Sequence, residues 1–346
     1  MQNIQSIHLE ITEKCNASCL QCDRNKNGGE VNQYLKNNEI TLDFFKSKIP
    51  KNIIKNLKKL YMCGNYGDPV VANDTLEIFQ YLRSINPTMN LQMITNASAQ
   101  DSEWWSELAK ANVKVRFSVD GLEDTNHLYR QGTDFNKIIE NAKIFIDNGG
   151  YAIWDYLVFG HNEHQVQEAK ELSETLGFKE FIIKKTGRFF SNIKNSGKEQ
   201  HQGINKKGEK TQTLTKPSEK YQNNALKKEE LLIQKYGSLD NYLKQTEITC
   251  KTLQQNEIYI SAEGLIFPCC WLAGQMYKWY WKPEQAPIWK MIEDKKNISL
   301  HYDLLENIVN GKIFKKIQNS WTNSNRLKVC SLKCGKEFDP FNEQYS

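Results

Sequence analysis

Three cysteines, Cys15, Cys19 and Cys22, stand at the spacing C-x3-C-x2-C just past a strand-like run, Ser6–Thr12. Thiolates are the ligands of iron–sulfur clusters and of structural zinc. Three of them at this spacing can hold three corners of a [4Fe–4S] cluster and leave the fourth iron without a protein ligand. An open iron is a place to bind and reduce a second molecule. Zinc is the rival reading. It closes a tetrahedron with four ligands, commonly from C-x2-C pairs. No fourth cysteine lies nearby, and His8, a possible fourth ligand, sits within the strand.

A second set lies towards the C-terminus. Cys250 and Cys269 flank a hairpin-like stretch as C-x13-G-x4-C with Gly264 as the glycine, and Cys330-x3-Cys334 follows much later. Four thiolates can close a cluster or a zinc site. Cys269 keeps the x4 spacing from Gly264; its neighbour Cys270 could replace it or be buried. Cys63 is left over. Packing as a small core residue is the plain expectation for it, with a redox or hydrogen-donor role near the first set as the alternative.

The elements that must position these residues alternate. Strand-like runs at Ser6–Thr12, Lys59–Cys63, Asn90–Asn96, Lys114–Asp120, Ala152–Phe159 and Lys179–Lys184 are separated by helical patterns at Leu42–Leu57, Thr75–Ile85, Ser102–Ala111, Phe135–Asn148 and Glu163–Leu176. Asp101 can cap the third helix, and Gly149-Gly150 and Gly177 end the fourth and fifth. Such alternation predicts βα units around a parallel sheet, with the chemistry at the C-terminal ends of the strands. Cys15 to Cys22, Gly64 to Pro69, Asn96, Asp120 and Asn162 all follow strands. A β-hairpin is predicted from Glu257–Ser261 and Leu265–Pro268, turning at Ala262-Glu263-Gly264. Trp271, Trp279, Trp281, Trp289 and Trp321 are expected to form the core around it rather than to stack on a substrate.

Length and composition narrow the class. The 346 residues suit one large α/β domain and a smaller one, divided at 1–190, 191–245 and 246–346. The middle stretch is rich in Lys, Gln and Asn and reads as a solvated linker, with a lid or docking surface as the alternative. Its lysines are Lys194, Lys198, Lys206, Lys207, Lys210, Lys216, Lys220, Lys227 and Lys228. A net charge of +5 is small for this length and argues little for nucleic acid. No apolar run approaches the roughly 20 residues that span a bilayer, and the polar N-terminus has no signal-peptide core. A cytoplasmic protein is expected, whose nine cysteines serve as metal ligands rather than disulfides.

Cys15-Asn16-Ala17-Ser18-Cys19-Leu20-Gln21-Cys22 resembles the signature of the radical S-adenosylmethionine (SAM) superfamily. The resemblance implies a partial (βα)6 TIM-like barrel. It also implies a [4Fe–4S] cluster on the three cysteines, with SAM chelating the fourth iron. Gln21 departs from the aromatic residue common there. Cys63-Gly64-Asn65-Tyr66-Gly67-Asp68-Pro69 is similar to the family's Gly-Gly-Glu-Pro segment, which implies that Gly67 and Asp68 meet the SAM ammonium; Asp68 is one methylene shorter than the usual Glu. Thr95-Asn96-Ala97 is similar to Thr-Asn-Gly, and Ser118-Val119-Asp120-Gly121 to a segment of peptide-modifying members. Ser118 and Asp120 share a sheet face by their spacing and could reach the ribose or substrate. Arg130 is implied as partner of the SAM carboxylate, its alternative being a surface ion pair. Asn162 is implied near adenine or ribose. The C-terminal cysteines resemble a SPASM or twitch-like domain (β-hairpin plus helix). A full SPASM domain has more cysteines, so one auxiliary [4Fe–4S] cluster on Cys250, Cys269, Cys330 and Cys334 is the expectation.

The reaction implied is reductive cleavage of SAM to a 5′-deoxyadenosyl radical that abstracts hydrogen from a peptide substrate, as in peptide maturation by an oxidoreductase. The residues that act on the substrate are unknown at this stage. Only a few residues precede the first strand, so no N-terminal leader-binding domain is expected. The alternatives are dehydrogenation of a small alcohol, sugar or aminocyclitol, and a zinc-stabilised binding protein without catalysis. A one-electron reductant such as flavodoxin or ferredoxin is the implied partner, with no membrane and no nucleic acid.

Overall fold

Short β-branched and aromatic runs, each followed by an amphipathic helix, give six parallel strands in the computed structural model, which describes residues 3–189, 199–322, 325–340 and 342–345. The strands are β1 (Ser6–Leu9), β2 (Lys59–Met62), β3 (Asn90–Thr95), β4 (Val113–Ser118), β5 (Tyr151–Val158) and β6 (Glu180–Lys185). They pair in chain order with parallel register, for example Ser6 opposite Lys59 and Leu91 opposite Val113. Their C-terminal ends therefore share one edge, as in a partial TIM-like barrel.

Alternation along the strands separates two faces. Leu60, Met93, Val115, Phe117 and Trp154 are buried. Phe117 stacks on Trp105 of the helix Ser102–Lys110 at 5.5 Å and meets Phe145 of the helix Phe135–Asp147 at 5.9 Å, so this face carries the helices. The opposite face is polar. Asp155 takes the Arg116 guanidinium at 2.9 Å and Lys184 at 3.5 Å. Glu257 accepts from Ser6 and Tyr61 at 2.9 and 3.0 Å. Parallel sheets usually bury both faces in apolar side chains; here the inner face pairs its charges with one another, and the Tyr345 ring lies 6.0 Å from the Arg116 guanidinium and 5.7 Å from Lys184.

The predicted C-terminal hairpin is present as β9 (Glu257–Ile260) and β10 (Ile266–Phe267), after an antiparallel pair β7 (Gln200–Ile204) and β8 (Lys210–Thr215). One feature was not legible in advance. β9 pairs parallel with β1, Ser6 opposite Glu257, so the large sheet has eight strands in the order β10-β9-β1-β2-β3-β4-β5-β6. The pairing covers the β1 edge, which would otherwise be left open. Trp281, Trp289 and Trp321 pack against the main core.

Two expectations are corrected. The helix predicted over Leu42–Leu57 is two helices, Leu42–Lys48 and Lys51–Asn56, because Pro50 between them has no N–H to give. The stretch 191–245, read as a solvated linker, is folded over its described part. It holds β7, β8 and the helices Ala225–Tyr236 and Leu239–Gln245, with His201, Leu214, Leu232 and Tyr242 buried. The lysines face outward and masked a sparse apolar pattern. Lys194 and Lys198 lie outside the described residues. No helix among the described residues is long and apolar enough to cross a membrane.

Candidate active site and its two cysteine sets

Beyond β1 the chain turns through the first cysteine set, held by Ser18 N–H to Gln131 O (2.7 Å), Cys22 N–H to Cys19 O and Asn25 N–H to Cys22 O (both 3.1 Å). Cys19 is buried, Cys15 and Cys22 half-buried, all packed with Leu20, Tyr129, Phe159, Phe189 and Leu214. Burial pushes the Cys19 thiol up to about 11, against the pull of Arg130, and raises Cys15 and Cys22 too. Thiols so crowded resist ionising alone, whereas a bound metal deprotonates its thiols outright. Donors are in place for the charged form. Ala17 N–H points at Cys15 Sγ (3.3 Å), Asn96 Nδ2 lies 3.8 Å from the same sulfur, and Arg188 stands near Cys22. These residues fit an iron–sulfur group.

The loop after β2 forms a ledge beside this set. It needs its glycines for close approach: a Cβ on Gly67 would lie 1.8 Å from Thr12 O, and one on Gly64 2.1 Å from Gly67 O. Asp68 is buried, which raises its pKa, and three hydrogen bonds oppose that shift. They come from Thr95 Oγ1 (2.6 Å), Asn96 N (2.7 Å) and Val70 N (3.1 Å). Asn96 in turn reaches Asn16 at 2.9 Å and Cys15. Asp68, Asn96 and the cysteine loop are thus one hydrogen-bonded unit.

The other expected residues divide in two. Asp120 accepts from Leu157 N–H and from Arg130 Nε, both at 2.7 Å. Arg130 is therefore in an ion pair with a buried acid, itself half-buried, and among the described residues only its Nε makes a hydrogen bond. The Ser118 hydroxyl has no hydrogen-bond partner among the described residues. Asn162 is fully buried; its amide donates to Asp120 O (2.8 Å) and Leu157 O (3.0 Å) and accepts from Phe159 N–H (2.7 Å). Asn162 braces the loop after β5.

Sequence reasoning missed Glu10. It sits one residue past β1, 2% exposed, and accepts Tyr66 N–H (2.7 Å) and Gly67 N–H (3.2 Å) on one oxygen and the Tyr259 hydroxyl on the other. Burial raises its pKa to about 7. Glu10 ties the β2 ledge to β9. A lone acid continuing the Ser6–His8 face of an apolar strand was the available signal.

The second set gathers in one cavity. Cys250, Cys269, Cys330 and Cys334 line it, with Leu272, Ile317, Trp321 and Lys333. Cys270 does not; its carbonyl accepts from Asn65 and its thiol lies near that of Cys63. Burial pushes Cys63 up to about 12. The Cys334 thiol donates to Cys250, holding the Cys250 thiolate below its ordinary range. The Trp321 indole N–H is buried without an oxygen or nitrogen acceptor and meets Cys330, while Lys333 is held near the Trp271 ring (6.0 Å) with no carboxylate. One indole donor on Cys330, a lining lysine, and no acid among the lining residues fit an anionic thiolate-bound cluster. Among the described residues no three His, Cys, Asp or Glu side chains are gathered as around one metal ion, so the fit of both sites rests on donor chemistry and enclosure.

Solved structures share this fold. Streptococcus suis SuiB bound to the precursor peptide SuiA aligns at TM-score 0.57 and 13% identity, over 100% of this chain and 77% of that one. The enzyme anSMEcpe with bound AdoMet and Cp18Cys peptide aligns at 0.54 and 15%, over 99% and 94%. SuiB bound to S-adenosylmethionine aligns at 0.54 and 13%, over 79% of this chain; the chain spans 62% of that one. At such identities the likeness is one of fold. No curated protein sequence matches the chain. Residues 9–173 match the sequence model of the radical SAM superfamily.

Proposed function

We propose that the chain cleaves SAM reductively at a [4Fe–4S] cluster on Cys15, Cys19 and Cys22 and abstracts hydrogen from a peptide, as a maturase of peptide substrates. The observation that carries this reading is the unit in which Asp68 holds Asn96 and Asn96 reaches Cys15. It sets a polar ledge beside the three thiols that would hold the cluster. When bound, the cluster supplies one electron to SAM, whose carbon–sulfur bond breaks to give methionine and a 5′-deoxyadenosyl radical.

On this reading the chain's own residues take distinct roles. Gly67 lets the ledge close on the cysteine loop. Asp68, Asp120 and Asn162 act as braces, their side chains already engaged by protein. Asn96, whose amide is engaged by Asn16, Cys15 and Ser98, braces the cysteine loop in the same way; Ser118 and Arg130 are the groups set to touch SAM, Arg130 through its terminal nitrogens. Cys250, Cys269, Cys330 and Cys334 hold a second cluster; four protein thiolates leave it no open iron, so it suits electron transfer or ordering of the fold. Peptide as substrate is supported by the peptides present in the SuiB and anSMEcpe complexes.

The test is anaerobic reconstitution with iron and sulfide counting, then SAM cleavage with dithionite and mass analysis of candidate peptides. About eight irons per chain and 5′-deoxyadenosine are expected, from two four-iron clusters. A mass loss of two on a small polyol, with peptides untouched, would move the reading to dehydrogenation.

A further inference from the structure

The lysine-rich stretch has a defined place. The β7–β8 hairpin lies on the first cysteine loop. His201 Nε2 meets Leu20 O at 3.0 Å, Ile204 N–H donates to Asn27 O at 2.9 Å, and Leu214 packs with Cys19 and Leu20. Gly203 is needed where it stands, since a Cβ there would lie 2.6 Å from Leu20 Cδ2. The turn at the end of the hairpin carries Lys206, Lys207 and Lys210, all exposed. None forms an ion pair with a described residue, and the neighbouring Glu209 is engaged by Asn205 (2.7 Å). The turn follows directly on the residue bonded to Asn27, only a short turn of chain from Cys22. Arg24, two residues past Cys22, is buried with two guanidinium nitrogens that have no acceptor among the described residues.

An arm tied to the cysteine loop by hydrogen bonds, whose turn carries three exposed lysines against the one carboxylate of Glu209, is an electrostatic landing site for a negatively charged protein. We propose that this hairpin tip docks an acidic one-electron donor protein of the flavodoxin or ferredoxin kind, which delivers its electron to the cluster at Cys15, Cys19 and Cys22. The proposal rests on the reading of that cluster given above. One electron leaves the reduced donor, which is oxidised by one, and enters the cluster, which is reduced by one; no bond or proton changes place.

The test uses reconstituted full-length protein and the triple variant K206E/K207E/K210E. Reduction is followed by the loss of cluster absorbance, with reduced flavodoxin in one arm and dithionite in the other, and the affinity for oxidised flavodoxin is measured against salt. The variant should lose at least about tenfold in rate with flavodoxin at low salt, bind it more weakly and show a flatter salt dependence, while dithionite reduces it within about twofold of wild type. K51E/K55E/K58E, which reverses three exposed lysines by the N-terminal end of β2, should behave as wild type. A tip variant reduced by flavodoxin as fast as wild type would overturn the proposal. So would an equal loss in the control, or an equal loss with dithionite, which would make the hairpin merely structural. A wild-type protein that dithionite leaves unreduced would sink the cluster reading itself, and this proposal with it.

Discussion

The two cysteine sets are built on opposite plans. The first takes three thiols from eight consecutive residues, and its neighbours are polar groups at strand ends: Asp68, Asn96, Ser118, Asp120 and Arg130. The second takes four thiols from three segments between residues 250 and 334, and its walls are Leu272, Ile317 and Trp321. On the reading proposed above, a local set of three thiols beside a polar ledge would leave one iron for a second molecule. A dispersed set in an apolar cavity is closed, and it ties together segments far apart in sequence. The first is therefore expected to govern reactivity and the second to govern stability, because a group that bridges distant segments when bound contributes its binding energy to the fold.

Removing the first set should have the largest effect. The variant C15A/C19A/C22A should form no detectable 5′-deoxyadenosine, keep the iron of the second set, and melt within a few degrees of wild type. The converse change sharpens the contrast. C334A should lose about four irons and lower the melting midpoint of the loaded protein by about 5 °C or more, yet still cleave some SAM. Equal melting points for the two variants would break the comparison. Next in size is D68N. An amide in place of Asp68 meets the Asn96 N–H with a donor, so SAM affinity, read by equilibrium dialysis, should fall about ten- to a hundredfold.

The smallest effect is a pH dependence at Glu10. Its pKa rises from an ordinary 4.5 to about 7 in the fold, first because of burial. Between those values the folded state binds more protons than the unfolded chain, so stability from this group is present at low pH and lost as pH rises through 7. E10Q keeps an acceptor for Tyr66 and Gly67 and does not ionise. Against wild type in denaturant titrations, E10Q should gain on the order of 1–3 kcal/mol between pH 5 and pH 8. His8, whose pKa burial lowers to about 4, is common to both proteins and drops out of that difference.

What the sequence disclosed follows the same divide. The C-x3-C-x2-C spacing is local, so the first set could be read directly. The six βα units were legible because each strand and helix carries its own period, and only Pro50 was passed over. Cys250, Cys269, Cys330 and Cys334 could be named from spacing and resemblance. Their sharing of one cavity depends on the helix Lys328–Cys334 packing against the segment after β10, which no local pattern encodes. Cys269 and Cys270 are adjacent and chemically alike; only the backbone direction after β10 sends one into the cavity and the other towards Cys63. Glu10 escaped notice because its partners, Tyr66 and Tyr259, are 56 and 249 residues away. The hairpin over the cysteine loop was hidden by composition, since its outward lysines outnumber the few side chains it buries.

The most direct test is 5′-deoxyadenosine formation by anaerobically reconstituted protein with dithionite and SAM, run beside C15A/C19A/C22A. The account expects the nucleoside from wild type, together with a reduced iron–sulfur signal, and none from the variant. Equal nucleoside from both, or a wild type that takes up one zinc ion at these cysteines and cleaves nothing, would contradict it.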